Sequence, residues 1–117
     1  MERVPELDVA IREAARLITE HAWNPAAFAE LSRNFGVSKS MLSRRFKQTV
    51  HVPYRRFLQA SRVAHARELL RTSNLTITEI AHRVGFRDLA RFEKVFKAAQ
   101  GTSPSRYRQQ QQPSAKA

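Results

Sequence analysis

The sequence lacks cysteine altogether and contains only three glycines among its 117 residues. Without cysteine there can be no disulfide and no cysteine-based zinc site, and a reducing cytoplasm is the compartment that this composition favours. No run of apolar residues approaches the roughly 18 that a membrane-spanning helix needs. The first ten residues carry Glu2, Glu6 and Asp8 and no apolar core, which argues against a secretory signal. We therefore expect a cytoplasmic protein in which no segment spans a membrane.

Acidic residues are absent from residues 31–67, although this segment contains nine lysines and arginines. Over the whole sequence 21 lysines and arginines oppose 10 acids, which gives a formal net charge of +11. Most charge runs only keep a surface solvated, but so unbalanced a segment makes a positive surface that attracts polyanions. Nucleic acid or an anionic membrane surface is the expected partner.

Apolar residues recur at helical spacing nearly throughout, and no segment alternates long enough to form a pair of strands. The pattern predicts an all-α fold of about seven helices, built as two homeodomain-like helix-turn-helix subdomains. The predicted subdomains cover residues 1–52 and 73–108, and a long helix at residues 53–72 connects them. Residues 109–117 are low in complexity and are predicted to be a disordered tail.

Capping residues fix most of the predicted helix ends. Asn24 caps the second helix with Pro25 at its first position, where a missing N–H costs nothing. Ser38 and Asp88 cap the third and sixth helices, and Gly101 ends the sixth. Either Thr76 or Thr78 opens the fifth helix, and a short seventh helix begins at Ser103-Pro104 and runs through Tyr107.

The two halves of the sequence repeat each other. A shift of 49 residues places Gly36 on Gly85, and a shift of 50 places Phe46 on Phe96 in the segment that follows. The two shifts differ by one residue, so the turn of the second copy contains one residue more than the turn of the first. Each copy therefore reads as helix, glycine turn, helix, which is the helix-turn-helix motif whose second helix enters the major groove of DNA.

The second helix of each copy has an apolar face and an outer face. The outer positions are Ser40, Ser43, Arg44 and Lys47 in the first copy and Ala90, Glu93, Lys94 and Lys97 in the second. Arginine or lysine can bind the guanine acceptors, serine can donate or accept, alanine can pack on a thymine methyl group, and glutamate can accept from a cytosine amino group. Helix N-termini and flanking polar or basic residues hold phosphates. The predicted phosphate contacts are Ser38, Lys39, Lys47, Arg87 and Lys97.

Other chemistry finds no support in the sequence. Phe46 and Phe96 could stack on single-stranded bases, but their spacing favours core packing. The four histidines are scattered, with no metal-site spacing among them. No nucleophile–base arrangement or phosphate-binding glycine loop occurs. We therefore predict no enzyme activity, metal or cofactor.

The second half carries a long motif that resembles a known family. It comprises Glu79–Asp88, Phe92, Val95–Lys97, Gly101–Pro104 and Tyr107–Arg108. This pattern is similar to the signature of the AraC/XylS transcriptional regulators, and residues 31–47 fit the less characteristic first half of that family. The resemblance covers roughly Leu7 to Arg108, nearly the whole chain.

The resemblance implies two helix-turn-helix subdomains joined by a rigid helix, which bind double-stranded DNA in successive major grooves. It also implies regulation of transcription, usually activation through RNA polymerase as a further partner. By position it assigns base contacts to Ser40, Ser43, Arg44, Ala90, Arg91, Glu93 and Lys94. We expect no effector-sensing domain within this sequence, so the chain is either a stand-alone short regulator or the C-terminal piece of a longer one.

Two positions depart from the family pattern. His51 stands where the family commonly has glycine, and Arg91 stands where it often has an aromatic residue. We expect a left-handed backbone at His51, which histidine adopts more readily than most residues. The aromatic residue missing at position 91 concerns base specificity and not the fold.

Two other functions stay open on the residues alone. A helical protein-interaction module would account for the helices but not for the acid-free basic segment. A non-specific nucleic-acid binder would account for the charge but not for Ser40, Ser43 and Glu93, which grip phosphate poorly.

Overall fold

The structure, a computed structural model, describes residues 5–20 and 27–111. Within these ranges the chain forms helices and no strand, so the all-α prediction is confirmed. The helices are α1 (Pro5–Glu20), α2 (Ala27–Phe35), α3 (Lys39–Val50), α4 (Tyr54–Thr72), α5 (Ile77–Arg83), α6 (Leu89–Gln100) and α7 (Pro104–Gln111). None of these helices is both long and apolar enough to cross a membrane.

The chain divides into two compact units, Met1–Leu58 and Gln59–Ala117. α4 begins in the first unit and continues into the second, where the sequence predicted a connecting helix. The predicted disordered tail begins too early, because α7 extends to Gln111 and includes three residues assigned to that tail. Glutamine is a good helix former, so Gln109–Gln111 prolong the helix without side-chain packing. Residues 112–117 lie outside the described residues, as do Asn24 and Pro25.

The core of the first unit joins α1 to α3. Leu7 and Ile11 of α1 and Leu42 and Phe46 of α3 are buried at 2% exposure or less. Each fully buried side chain of this size contributes about 1.5–3 kcal/mol relative to an exposed one. The Phe46 ring meets Phe57 edge to face, with centroids 5.6 Å apart.

The core of the second unit lies among α4, α5, α6 and α7. Its buried side chains are Val63, Ala66, Leu70, Ile80, Ala81, Val84, Phe86, Phe92 and Phe96. The Phe96 ring meets Tyr107 edge to face with centroids 5.6 Å apart, the same contact that Phe46 makes with Phe57 fifty residues earlier. Phe46 and Phe96 are core residues, as their spacing predicted, and so are not available to stack on bases.

Side-chain oxygens cap the starts of α3, α5, α6 and α7, the last through the Ser103 hydroxyl, which accepts from the Arg106 N–H at 3.2 Å. Ser38 accepts a hydrogen bond from the Met41 N–H, and Asp88 accepts one from the Ala90 N–H, so both predicted caps are confirmed. Of the two candidates for α5, Thr76 is the cap. Its hydroxyl accepts from the Glu79 N–H at 3.0 Å while the Glu79 carboxylate accepts from the Thr76 N–H at 2.8 Å. This reciprocal pair satisfies two N–H groups that would otherwise lack a helical partner.

Candidate nucleic-acid interface

The turn between the two helices of each motif is closed by the same pair of backbone hydrogen bonds. In the first motif the Gly36 N–H donates to Arg33 O at 3.4 Å and the Val37 N–H donates to Ser32 O at 3.1 Å. Gly36 has φ +63, which glycine adopts without the steric cost that a side chain would bring. The equivalents 49 residues later are Gly85 N–H to His82 O at 3.1 Å and Phe86 N–H to Ala81 O at 2.8 Å. The sequence repeat is therefore a repeat of backbone geometry.

The second helix of each motif ends in a left-handed residue. His51 has φ 71 and its N–H donates to Lys47 O, and Gly101 has φ 84 and its N–H donates to Lys97 O, both at 2.8 Å. The left-handed conformation expected of His51 is confirmed. Among the described residues His51 is the one non-glycine residue with positive φ.

The outer face of α3 is open to solvent. Leu42 and Phe46, four residues apart, point into the core with 0% and 1% exposure. All the residues of α3 that the sequence analysis assigned to DNA are exposed, namely Lys39, Ser40, Ser43, Arg44 and Lys47. Met41 is also exposed, at 44%, and it stands where Arg91 stands in the second copy. The outer face of α3 thus includes an apolar residue that the sequence analysis did not assign.

The outer face of α6 has the same relation to its core. Phe92 and Phe96 are buried at 0% exposure. The assigned residues Arg87, Ala90, Arg91, Glu93, Lys94 and Lys97 are all exposed. In each copy the assigned residues are therefore exposed, either on the solvent side of the second helix or just before its start, and two buried aromatic or aliphatic residues anchor that helix.

Ser38 at the start of α3 caps the helix and is also a predicted phosphate contact. It is exposed, as a phosphate contact must be, and its oxygen accepts the hydrogen bond from Met41 N–H at 3.0 Å. A hydroxyl that accepts one bond keeps its own hydrogen for a second acceptor, so the cap leaves Ser38 able to donate to a phosphate oxygen.

Some arginines of the acid-free segment stabilise the fold and do not belong to the exposed surface. The Arg45 guanidinium donates to the Asp8 carboxylate of α1 at 3.0 Å, with both side chains below 20% exposure. Arg67 donates to the Gln100 amide oxygen at 3.1 Å. Arg62 lies 5.1 Å from the centre of the Phe86 ring, in cation–π range.

The sequence analysis did not foresee these roles. One signal was present for Arg45, since it lies three residues after Leu42 and therefore next to this core residue on the surface of α3. Spacings of three and four residues likewise place Arg67 next to Leu70 and Val63 of α4, but they do not identify the partners of Arg62 and Arg67, which lie in the loop before α6 and in α6.

Comparison with known proteins places this geometry in a family. A family model described as a helix-turn-helix domain matches residues 31–110. The arabinose operon regulatory protein of Escherichia coli (strain K12) is 32% identical over 105 residues, 89% of this chain and 36% of that protein. The chain thus spans about a third of the length of this curated relative.

Two solved structures share the fold of the chain. One is the C-terminal domain of AraT, a response regulator from Geobacillus stearothermophilus, with a TM-score of 0.76 and 32% identity over 92% of this chain and 90% of that one. Another is the DNA-binding domain of AdpA, a global transcriptional factor, in complex with a target DNA, with a TM-score of 0.69 and 27% identity over 89% and 90%. With the family model over most of its length and the AraT domain at this identity, the chain belongs to the AraC/XylS family of transcriptional regulators, with two helix-turn-helix motifs.

Proposed function

We propose that the chain binds double-stranded DNA in a sequence-specific manner and regulates transcription, with α3 and α6 in successive major grooves. One observation carries the proposal. In each motif two buried residues, Leu42 and Phe46 on α3 or Phe92 and Phe96 on α6, fix the second helix so that its cationic and polar side chains are exposed. The AdpA domain, which was solved on a target DNA, supports the same use of the fold. DNA binding by such a protein takes place in the cytoplasm.

The residues of each face divide into two groups by chemistry. Arg44 and Lys94 bind guanine acceptors, while Ser40, Ser43 and Glu93 match bases that offer or need a single hydrogen bond. Ala90 and Arg91 complete the base-reading set on α6. Ser38, Lys39, Lys47, Arg87 and Lys97 grip phosphates, which fixes the register of the helix in the groove but carries no sequence information.

The two motifs prefer different bases, because Ser40 and Ser43 on α3 stand where Ala90 and Glu93 stand on α6. The site of one chain is therefore asymmetric and spans two turns of duplex. This mechanism, in which one chain reads bases with both α3 and α6, would be contradicted by a palindromic site that only a dimer binds, with one half-site for each chain.

Selection of bound sequences from a random duplex pool tests the proposal. Arg44→Ala and Lys94→Ala should each relax base preference at a separate place in the selected site, at a cost of about 1–3 kcal/mol for a preferred guanine. Arg56→Ala is the control, since Arg56 is exposed but belongs to neither α3 nor α6. Binding of all duplexes with equal affinity at physiological salt would instead favour a non-specific binder.

We further propose that regulation is activation through contact with RNA polymerase. Transcription in vitro with purified polymerase tests this step, on a promoter that carries the selected site upstream. The expected result is a rise in transcript with wild-type protein and a smaller rise with Arg44→Ala at the same protein concentration. A fall in transcript would mean that the chain acts as a repressor.

A further inference from the structure

An open cavity of about 700 Å³ lies in the first unit, beside α3. Four cationic side chains line it, Lys39, Arg44 and Lys47 from α3 and Arg55 from the first turn of α4. No acid occurs among the described residues that line it. The sequence analysis assigned the three α3 cations to DNA but gave no role to Arg55.

We propose that one sugar–phosphate strand of the duplex occupies this cavity and that Arg55 neutralises a phosphate of that strand. The inference rests on the proposed function, because it takes α3 to lie in the major groove. It adds to that function a contact from outside the recognition helix and assigns it to the first motif alone.

The cavity runs along one side of the base-reading face. Lys39, Ser43 and Lys47 are spaced four residues apart, so they form one row along α3, next to Arg44. A helix in the major groove has a phosphate backbone along each side, and Lys39 and Lys47 at the two ends of this row face one of them, while Ser43 and Arg44 form the border with the base-reading face. The eight residue steps from Lys39 to Lys47 rise about 12 Å, enough for more than one phosphate of a strand that carries a charge about every 3.4 Å of duplex axis.

Part of the cavity lining is aromatic. Phe28 of α2 and Tyr54 of α4 stack with ring centroids 4.0 Å apart, and both line the cavity. A lining that combines cations with apolar surface suits a strand in which charged phosphates alternate with largely apolar deoxyribose rings.

The position of Arg55 is unfavourable for the helix that contains it. The first turn of α4 contains Arg55 and Arg56 and no acid, although positive charge is disfavoured near the N-terminus of a helix. The second motif has Ser105 where the first has Arg55, so the repeated fold does not need a cation there. The positive charge of Arg55 does not stabilise α4, and binding of an anion outside the protein would account for its presence.

The salt dependence of binding tests the proposal, with Arg55→Gln as the variant and Arg56→Gln as the matched control. Arg56 is also exposed and in the same turn, but it does not line the cavity. Loss of one phosphate contact should make the slope of log affinity against log salt less steep by about 0.9. Between 50 and 200 mM salt, Arg55→Gln should therefore lose about 3.5-fold less affinity than wild type does. Arg56→Gln should keep the wild-type slope.

Duplexes with a single methylphosphonate, which removes the charge of one phosphate, locate the contact. One such position, beside the bases that Arg44 reads, should weaken binding of wild type and Arg56→Gln but not of Arg55→Gln. An unchanged slope in Arg55→Gln, or a changed base preference without a change in slope, would overturn the proposal. Failure of the proposed function is a different result, since wild type itself would then show no sequence preference.

Discussion

The guanidinium of Arg108 offers the sharpest test of how the second unit is held together. Its Nε donates to Leu70 O at 3.1 Å, Nη1 donates to Leu75 O at 2.7 Å and Nη2 donates to Ser73 O at 3.1 Å. These carbonyls belong to the last turn of α4 and to the loop before α5, so one side chain of α7 fixes the approach to the second helix-turn-helix motif. Replacement of Arg108 by alanine removes all three bonds at once.

The size of the effect follows from the exposure of the partners. Hydrogen bonds to a charged group contribute about 1.5–3 kcal/mol each when they are shielded from water. Arg108, Ser73 and Leu75 are half-buried, so water can reach part of the carbonyl surface once the side chain has gone. We therefore expect Arg108→Ala to lower the free energy of unfolding by about 2–4 kcal/mol, less than three full bonds. Arg108→Lys should recover at most about half of this loss, because an ammonium group lacks the planar fork that reaches three acceptors.

Urea unfolding followed by circular dichroism at the helical band measures this loss. Arg106→Ala is the matched control, since Arg106 is exposed on the same helix two residues away and should change stability by no more than about 0.5 kcal/mol. The reasoning would be refuted if Arg108→Ala were as stable as Arg106→Ala, because water would then satisfy the three carbonyls as well as the guanidinium does.

Four further predictions concern single positions. His51→Gly should raise the free energy of unfolding by about 0.5–1 kcal/mol in urea titrations, because glycine relieves the left-handed strain at φ 71, and His51→Val should lower it. Thr76→Ala should cost about 0.5–2 kcal/mol in the same assay, through loss of the α5 cap. The Thr76 N–H holds the pKa of Glu79 below its usual range, so this carboxylate stabilises the fold above the ordinary glutamate pKa and loses its effect as pH falls through the lowered value. Acid titration should therefore show less pH dependence in Glu79→Gln, and an identical curve would refute the capping box. Replacing the thymines under α3 by uracil, which lacks the methyl group, should lower the affinity of the wild-type protein but not that of Met41→Ala. An equal loss of affinity in both proteins would show that Met41 touches no thymine.

Local features of the chain were accessible to sequence reasoning because their causes are local. A cap such as Ser38 or Asp88 acts on an N–H two or three residues away, and the left-handed residues His51 and Gly101 act through their own φ. The repeat and the anchor pairs follow from spacing along one helix. These features were sufficient to predict the fold class, the two motifs and which face of α3 and α6 is exposed. The base and phosphate assignments on those faces stay predictions.

Contacts between residues far apart in the chain depend on how the helices pack and could not be read from the sequence. By composition Arg45 is one of the basic residues of the segment expected to bind a polyanion. In the fold it contacts Asp8, 37 residues earlier, and the two form a half-buried ion pair. Arg108 reads as the end of a motif, yet it binds a carbonyl 38 residues before it. Arg55 lies in a different helix from Lys39 and Lys47 and lines the same cavity only once α3 and α4 are packed. Periodicity reports which side of a helix is apolar, but only the packing of helices on one another determines which polar groups meet across it.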